Sequence, residues 1–592
     1  MNLRETIASI GEMHGLKIDG ESYETKIRKS IVEILNQIPK DKKVAIRGAG
    51  THTSELLSLE GCSARFECIL DYAVKENDIL RIKEQEWPLY PSSAIDQLDI
   101  DVVVISSYTR RKEIREELQK NEKPLIIIDL YDELQKMDLD VNAPFYYNTE
   151  DTYDNVIYYR KAYLANQDAR NLKNLIVAYL KIFDFINFEY FSKKYICNRY
   201  EDYQNVQKAL HEIRAQLDDV KEQLKKRTQR DIITIWNDQV DYNDLQYTSY
   251  IQEESKNSMF FENAYTMTPF TVPTFLEMFQ GLKSIDDRIY FNRHSVSDKD
   301  NSEVIRELEA AGYEFVYIGD EADAKLFKEN NVMSHFTYNS SCVRCMDLLQ
   351  KLLDAQKPVC MILHELVETH NPYLNGELSS AKWYEWPTFA GSSEAFALEQ
   401  KKKSLAYWDK QLAFYMEFVP DNCIKIFMSD HGTRYNYQPI YKEPSTHILF
   451  FITGRDVPQK KCKGLFSIYN YNKVIQSIIK NEYKDEKIFS DYVLMQETNI
   501  FNSTALRYYI KNNAEECTCG WRAVRTQNEL FVKLSSGKKY YYLLPDEDSD
   551  CLSQADPERI KQLDELAGDK FEDTSEYERE LAFFRKQFET HE

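Results

Sequence analysis

Residue types able to hold a divalent ion and to attack an ester gather in three short segments of this 592-residue chain. The apolar run Ile232 to Trp236 ends by presenting Asp238 and Gln239, and a second run, Phe427-Met428, ends in Ser-Asp430-His431-Gly432. Between them lies Thr271-Val-Pro-Thr274, a hydroxyl placed just ahead of a proline. Functional groups of open α/β sheets collect outside the carboxyl ends of the strands, so the two acids are placed to project into one crevice. Asp and His together favour Zn²⁺, Mn²⁺ or a similar ion, whereas Mg²⁺ and Ca²⁺ prefer all-oxygen sites. A hydroxyl bound to such an ion gives up its proton more readily and becomes a nucleophile. Pro273 suits the first turn of a helix running over Phe275 to Phe279, whose leading N–H groups would face an anion at Thr271. Taken singly, Asp-His-Gly reads as a loop after a strand and Thr-Val-Pro as a helix cap. In this order and combination they point to one metal site carrying a nucleophile.

Such a site needs a sheet to hold it. From Asp231 onward, strand-like runs fall at 232–236, 314–318, 359–363, 424–428 and 448–452, with helical stretches such as Asn301 to Ala311 and Ser404 to Phe418 between them. Upstream, Ile27, Ile31, Ile34 and Leu35 recur at helical spacing. Then Lys43-Val-Ala-Ile-Arg47 runs into Gly48 and Gly50, and a helix is expected over Ser54 to Leu59. Strands Phe66 to Leu70, Val102 to Ser106 and Leu125 to Ile128 follow, the first ending in Asp71 and the last in Asp129. This alternation predicts an open parallel sheet with crossover helices, so both halves are α/β.

Gly48-Ala-Gly50 with Asp71 about twenty residues on is part of a dinucleotide fingerprint, with Thr53 in place of the third glycine. Gly48, Gly50 and Asp71 are therefore candidate positions for a nucleotide cofactor, against a reading in which the glycines serve only a tight turn. The stretch resembles the Rossmann-like halves attached to bacterial sugar-modifying enzymes.

The expected organisation is a Rossmann-like domain over 1–150, a helical linker over 151–230, a catalytic domain over 231–500, and a C-terminal subdomain with an acidic tail over 501–592. Leu210, Ile213, Leu217, Val220 and Leu224 form a heptad seam, so the 204–228 helix can pack on its own chain or pair with a second copy as a homo-oligomer. The tail from Asp546 reads as a solvated helix.

A chain this long exceeds one core, and 43% hydrophobic residues with 41 Tyr and 30 Phe can fill several. A net charge of −22 repels phosphate backbones and argues against a nucleic-acid partner. Leu175 to Phe191, the most apolar window, is broken by Lys181, Asp184, Asn187 and Glu189, so no integral membrane segment is expected. The start shows no basic region followed by an apolar run, and eleven cysteines is an odd, irregularly spaced set. Reduced thiols and a cytoplasmic location are the expectation. Cys342-Val-Arg-Cys345 and Cys517-Thr-Cys519 lack a second well-spaced pair for zinc.

The three segments also carry a resemblance. Ile233-Thr-Ile-Trp-Asn-Asp-Gln239 is similar to the opening strand of the sulfatase-like branch of the alkaline phosphatase superfamily. Thr271-Val-Pro-Thr-Phe-Leu-Glu-Met-Phe-Gln-Gly281 resembles its nucleophile segment, and Ser429-Asp-His-Gly432 its metal-binding Ser-Asp-His-Gly. In family order follow His370-Asn-Pro-Tyr373, Tyr407-Trp-Asp-Lys-Gln-Leu412 and Lys442-Glu-Pro-Ser-Thr-His447. Ala523-Val-Arg-Thr526, Tyr540 to Leu544 and Asp556-Pro-Glu558 complete the series. The resemblance implies an alkaline-phosphatase-like α/β sandwich with a small C-terminal subdomain. It implies Asp238, Thr271, Asp430 and His431 around one divalent ion (Zn²⁺, Mn²⁺ or Ca²⁺), Thr271 as nucleophile, and Gln239 in support. It implies His370, Lys442 and His447 at the leaving-group side. Asn292 and Arg293 are candidates to contact the anion. His364 and Glu365 are candidates to enter the site, with His364 equally readable as a satisfied strand residue.

Departures bear on the substrate. Sulfatases mature a Cys or Ser to formylglycine within a motif whose fifth position is Arg; here those positions hold Thr271 and Phe275, and Thr cannot follow that route. The family's Gly-Lys-x-His strand end is matched only by Gly319-Asp-Glu-Ala322. The expected function is metal-dependent hydrolysis or transfer of a phosphoester on a small molecule or glycan, in the setting of bacterial surface-glycan modification. The alternatives are a sulfuric ester hydrolase and a non-catalytic nucleotide-sugar-binding or scaffold protein.

Overall fold

The computed structural model describes residues 2–585 apart from 75, 83–84, 108–109, 122, 138, 140–152, 288–301, 336–338, 366–368, 370–393, 434–438, 500–505, 507–508, 511–513, 572–574, 576, 580 and 583–584. Their contacts divide the chain into two units, one formed by Gly11–Ala209 and one by 2–10 with the chain from Leu210 on.

The first unit is built on a six-stranded sheet. Its strands are β1 (Val44–Arg47), β2 (Phe66–Asp71), β3 (Asp78–Ile82), β4 (Gln85–Pro91), β5 (Val102–Ile105) and β6 (Ile126–Asp129), in the order β3-β4-β2-β1-β5-β6. All pairings are parallel except the edge hairpin β3–β4. β1 and β5 are buried along their whole length, as strands covered on both faces must be. Helices Arg111–Gln119 and Leu130–Lys136 follow β5 and β6, and Ile114 and Leu118 of the former pack on Ala45, Val103 and Ile105. The helix expected over Ser54 to Leu59 runs instead over Thr51–Leu56, starting directly after Gly50. Helices Tyr153–Ala165, Ala169–Lys181 and Phe185–Cys197 complete the unit; Asp168 and Asp184 cap the last two.

The second unit holds an eight-stranded sheet made of β7 (Ile232–Asn237), β8 (Met259–Tyr265), β9 (Glu314–Asp320), β10 (Val332–His335), β11 (Val359–Glu365), β12 (Ile424–Met428), β13 (Phe450–Thr453) and β14 (Lys460–Ser467). Their order is β10-β9-β11-β7-β12-β13-β8-β14, and β13 alone runs against the rest. The carboxyl ends of β11, β7 and β12 therefore stand side by side at the centre. Trp236 on β7 stacks on Phe275 with centroids 4.1 Å apart, and Phe279, Tyr317 and Phe327 surround the pair. Full burial of each such ring contributes about 1.5–3 kcal/mol, which seats helix Thr271–Gln280 firmly on β7.

The same unit contains an antiparallel meander, β15 (Val493–Glu497), β16 (Trp521–Arg525), β17 (Glu529–Leu534) and β18 (Lys539–Leu543). Helix Pro557–Ala567 lays Leu563 and Ala567 on Val524, Phe531 and Tyr541. Tyr577 and Leu581 beyond it are buried as well. This corrects the expectation of a wholly solvated tail: its apolar residues recur at helical spacing and one face is covered. The seam residues Leu210, Ile213, Leu217, Val220 and Leu224 on helix Tyr203–Leu224 are buried within a single chain, which leaves no apolar stripe there for a second copy. None of the eleven cysteines forms a disulfide. Among the described residues no helix is long and apolar enough to cross a membrane.

Candidate metal centre

The site begins where the central strands end. The Asp238 amide donates to the Glu365 carbonyl at 2.9 Å, carrying the β7–β11 ladder one residue past Asn237. Asn237 Oδ1 in turn accepts from Trp408 Nε1 at 2.8 Å. At the end of β12, Ser429 pairs with Leu449 through both its amide and its hydroxyl, at 3.0 and 3.1 Å. The Gly432 amide donates to the Ser445 carbonyl at 2.9 Å, and a Cβ on residue 432 would stand 1.8 Å from the Pro444 carbonyl oxygen. Only glycine permits that approach, which explains the Gly of Asp-His-Gly.

These ends bring Asp238, Asp430 and His431 together, fully buried, each offering a ligand atom within 4.8 Å of the other two. His431 Nδ1 lies 2.8 Å from the Gly432 carbonyl, so Nδ1 carries a proton and Nε2 is the nitrogen left to face the two carboxylates. That Nε2 stands 3.5 Å from Asp430 Oδ2 and 4.0 Å from Asp238 Oδ1. Asp430 Oδ1 accepts from the amides of Gln239 and His431 at 3.1 and 2.8 Å, turning Oδ2 toward the imidazole. Burial, and then the neighbouring Asp238 carboxylate, push the Asp430 carboxyl up to about 7. Two buried carboxylates this close resist joint ionisation unless a cation shares them. Two carboxylates and a neutral imidazole converging on one point are a donor set that fits a divalent ion.

Thr271 is the first residue of helix Thr271–Gln280, which closes on the left-handed Gly281 (φ +66°). Its hydroxyl donates to Asp238 Oδ2 at 3.0 Å. The structure thus brings Thr271, Asp238, Asp430 and His431 to one place.

His364, a candidate from the sequence, stands at this edge with Tyr317, Asp323 and Arg344, which gave no sequence signal. His364 on β11 is fully buried, with Nε2 3.6 Å from Asp238 Oδ2 and Nδ1 2.9 Å from the Tyr317 hydroxyl. Asp323 Oδ2 lies 3.7 Å from the same Nδ1, and its carboxyl is held well above the usual range by burial and then by Asp320, Asp238 and Asp430. Arg344 donates to the His364 carbonyl at 2.5 Å. Tyr317 and Arg344 sit inside ordinary strand and helix patterns, so only the pairing of β9, β11 and helix Ser341–Asp354 reveals them.

Several candidates have other partners. His447 stacks between Tyr242 and Tyr265, with Nε2 3.0 Å from the Glu262 carbonyl and Nδ1 3.3 Å from Glu443. Lys442 lies over the Tyr542 ring, 3.9 Å from Asp548. His370, Asn292 and Arg293 lie outside the described residues. In the first unit, Asp71 accepts from the amides of Ala49 and Ala73, both at 2.9 Å, beside Gly48 in its left-handed turn (φ +113°) and Gly50 at the start of Thr51–Leu56.

No family model and no curated protein matches the chain. Among solved structures, a phosphonate monoester hydrolase of Agrobacterium radiobacter aligns with 61% of this chain and 96% of its own, at 11% identity and a TM-score of 0.44. A 2-O GAG sulfatase aligns with 61% of this chain and 94% of its own, at 14% identity and a TM-score of 0.41. A protein solved with its substrate D-glucosamine-2-N,6-O-disulfate aligns with 61% and 99%, at 12% identity and a TM-score of 0.43.

Proposed function

We propose that the chain is a metal-dependent phosphoester hydrolase or phospho-group transferase with Thr271 as its nucleophile. The observation that carries this reading is the Thr271 hydroxyl, 3.0 Å from Asp238 Oδ2, at the edge of the Asp238–Asp430–His431 cluster. The order of the motifs, which resembles that of the sulfatase-like family, supports it.

Asp238, Asp430 and His431 would hold the ion, which when bound lowers the pKa of the Thr271 hydroxyl and offsets charge on the ester. Asp238 Oδ2 orients the hydroxyl, so the Thr271 oxygen meets phosphorus with its lone pairs turned away from the carboxylate. The leading N–H groups of helix Thr271–Gln280 have no acceptor within the helix and favour an anion at this end. Attack forms the Thr271 Oγ1–P bond and breaks the bond to the departing alcohol. The hydroxyl proton passes to solvent and the departing oxygen takes up a proton from solvent. Water or an acceptor hydroxyl then displaces the phospho group from Thr271 and regenerates the side chain. A sulfatase route through formylglycine is closed to Thr, and Phe275, at the maturation motif's Arg position, is stacked in the core on Trp236.

The test couples metal analysis with a substrate panel. Purified protein is expected to carry a divalent ion and to cleave a nitrophenyl phosphodiester, with both lost in Asp430→Ala. Turnover alone is expected to be lost in Thr271→Ala. Cleavage of nitrophenyl sulfate but not of phosphoesters would replace this reading with sulfuric ester hydrolysis. Protein that binds no metal and is indifferent to Asp430→Ala would replace it with a binding function.

A further inference from the structure

Lys401 stands in a run of six polar residues, Glu399-Gln-Lys-Lys-Lys-Ser404, that reads as a solvated stretch, yet Lys401 is only 6% exposed. Its helix, Glu394–Met416, runs beside the sheet, and the Nζ ammonium enters the space behind the two ligand-bearing loops. There it donates to the Gln239 carbonyl at 3.0 Å and to Asp244 Oδ2 and Thr433 Oγ1, with Asp241 Oδ2 3.7 Å away. Thr433 Oγ1 also donates to Asp241 Oδ2 at 3.3 Å. Gln239 directly follows Asp238, and Thr433 lies two residues past His431. One buried cation therefore binds the backbone behind one ligand loop and the side chain behind the other.

The backbone at Gln239 shows what this binding holds. Gln239 has φ +61°, a left-handed conformation that costs a residue with a side chain on the order of 1 kcal/mol and persists only where the surroundings enforce it. In that conformation its two polar backbone groups serve opposite sides. The N–H donates to Asp430 Oδ1 at 3.1 Å, and the C=O accepts from Lys401. Trp408, two helical turns beyond Lys401 on the same helix, holds Asn237 at 2.8 Å, so two contacts from one helix bracket Asp238. The compact ammonium has three donors, which its acceptors use, and a planar guanidinium matches that arrangement poorly.

We infer that Lys401 is a positioning residue that locks the Asp238 loop to the Asp430–His431 loop and so sets the spacing of the three ligand groups. This rests on the reading of those groups as a metal centre, and the test separates the two. Metal-depleted wild type, Lys401→Met, the double variant Lys401→Met/Asp244→Asn and Asp430→Ala are compared by Mn²⁺ and Zn²⁺ titration calorimetry, by hydrogen exchange of the 237–244 and 429–433 backbone, and by thermal unfolding. The double variant removes a buried cation together with a buried carboxylate and so leaves the net charge of the pocket unchanged should the single variant misfold.

The expected result is metal binding weakened by about 10–100-fold, as for the loss of other groups that orient ligands. Exchange should rise about tenfold in both loops together, while the global transition and the protection of β7 and β12 stay close to wild type. Wild-type protection of either loop, or wild-type metal affinity, in a folded Lys401 variant would overturn the inference. Loosening of both loops in protein that binds no metal even as wild type would uphold the positioning role and overturn the metal reading.

Discussion

Two mostly parallel sheets in this chain present acids at their carboxyl edges, and the acids are spent differently. In the six-stranded sheet, Asp71 takes two backbone N–H groups, and Asp129 caps helix Leu130–Lys136 through Tyr131 and Asp132 while pairing with Arg115 at 2.7 Å. In the eight-stranded sheet, Asp430 uses one oxygen for backbone amides and turns the other toward His431, and Asp238 receives the Thr271 hydroxyl. Topology gathers strand ends in both sheets. Whether the gathered carboxylates are consumed by turns and caps or converge on a shared point distinguishes a scaffold edge from a reactive one.

The sharpest way to break that contrast is to remove one residue from each edge. On the proposed reading, Thr271→Ala should lower phosphoester turnover by at least about 10³-fold while metal binding persists, because the proposed nucleophile would have no substitute in such a site. Asp129→Ala should leave turnover within about twofold and cost about 1–2 kcal/mol in denaturant unfolding, the worth of a cap with its ion pair. Comparable turnover losses in the two variants would erase the distinction.

A second test uses pH on metal-depleted protein. The Asp430 carboxyl is pushed up to about 7 in the folded state, against about 3.9 unfolded. The native state then holds the proton more tightly, so stability is greatest below pH 4 for this group and falls as pH rises from about 4 to about 7. The loss should be on the order of 2–4 kcal/mol, smaller where Asp238 shares the proton. Asp244, also pushed up to about 7 by burial although Lys401 opposes it, titrates in the same window. Asp430→Asn should therefore flatten part of the slope, and saturating Mn²⁺ should flatten it further. A slope unchanged by Asp430→Asn would show that the carboxyls do not face one another as described.

Much of this contrast is legible in the sequence. Val359 to Leu363 is a continuous apolar run, and Ile232 to Trp236 and Ile424 to Met428 are each interrupted once, by Thr234 and Lys425. Such runs are the signature of strands buried on both faces, and Asp238, Glu365 and Asp430, each two residues past a run, mark strand ends. What stayed hidden was charge tolerated inside structure. β8 carries Glu262 and Asn263 in a strand that is otherwise buried, and the edge strands β3 and β14 alternate with exposed charges, so none of these registers as a strand. Lys401 is indistinguishable in sequence from Lys403, which is more than half exposed on its side chain. Only the packing of helix Glu394–Met416 separates them. His447 fits its expected position in the motif, but both ring nitrogens have acceptors beside them in the Glu262–Glu443 surroundings.

Smaller effects should follow from the struts behind the reactive edge. Trp408→Phe keeps the ring packing but removes the Nε1 donor, leaving buried Asn237 Oδ1 without its 2.8 Å partner. Stability should fall by about 1–2 kcal/mol, with a weaker drop in metal affinity than for Lys401→Met. An unchanged affinity would confine the role of the helix to Lys401.

The smallest expected change comes from Glu277, on the same helix as Thr271. Its carboxyl is fully buried, neither oxygen has a hydrogen bond, and burial followed by nearby Glu497 raises its pKa well above the usual range. Unlike Asp430, it lies outside the cluster that could share a cation, and the Lys283 ammonium offsets only part of the cost of ionising it. Folding must therefore hold a proton that the unfolded chain releases near pH 4.5, and the resulting penalty grows as pH rises above that value. Glu277→Met, close in volume and apolar, should match wild type near pH 4.5 and gain about 1 kcal/mol by pH 8, as replacements of buried charges by well-packed apolar groups often do. Urea unfolding of both proteins at the two pH values measures it. A Met variant that is less stable at pH 8 would mean that Glu277 has a partner of its own, making helix Thr271–Gln280 a second place where a buried acid is put to use.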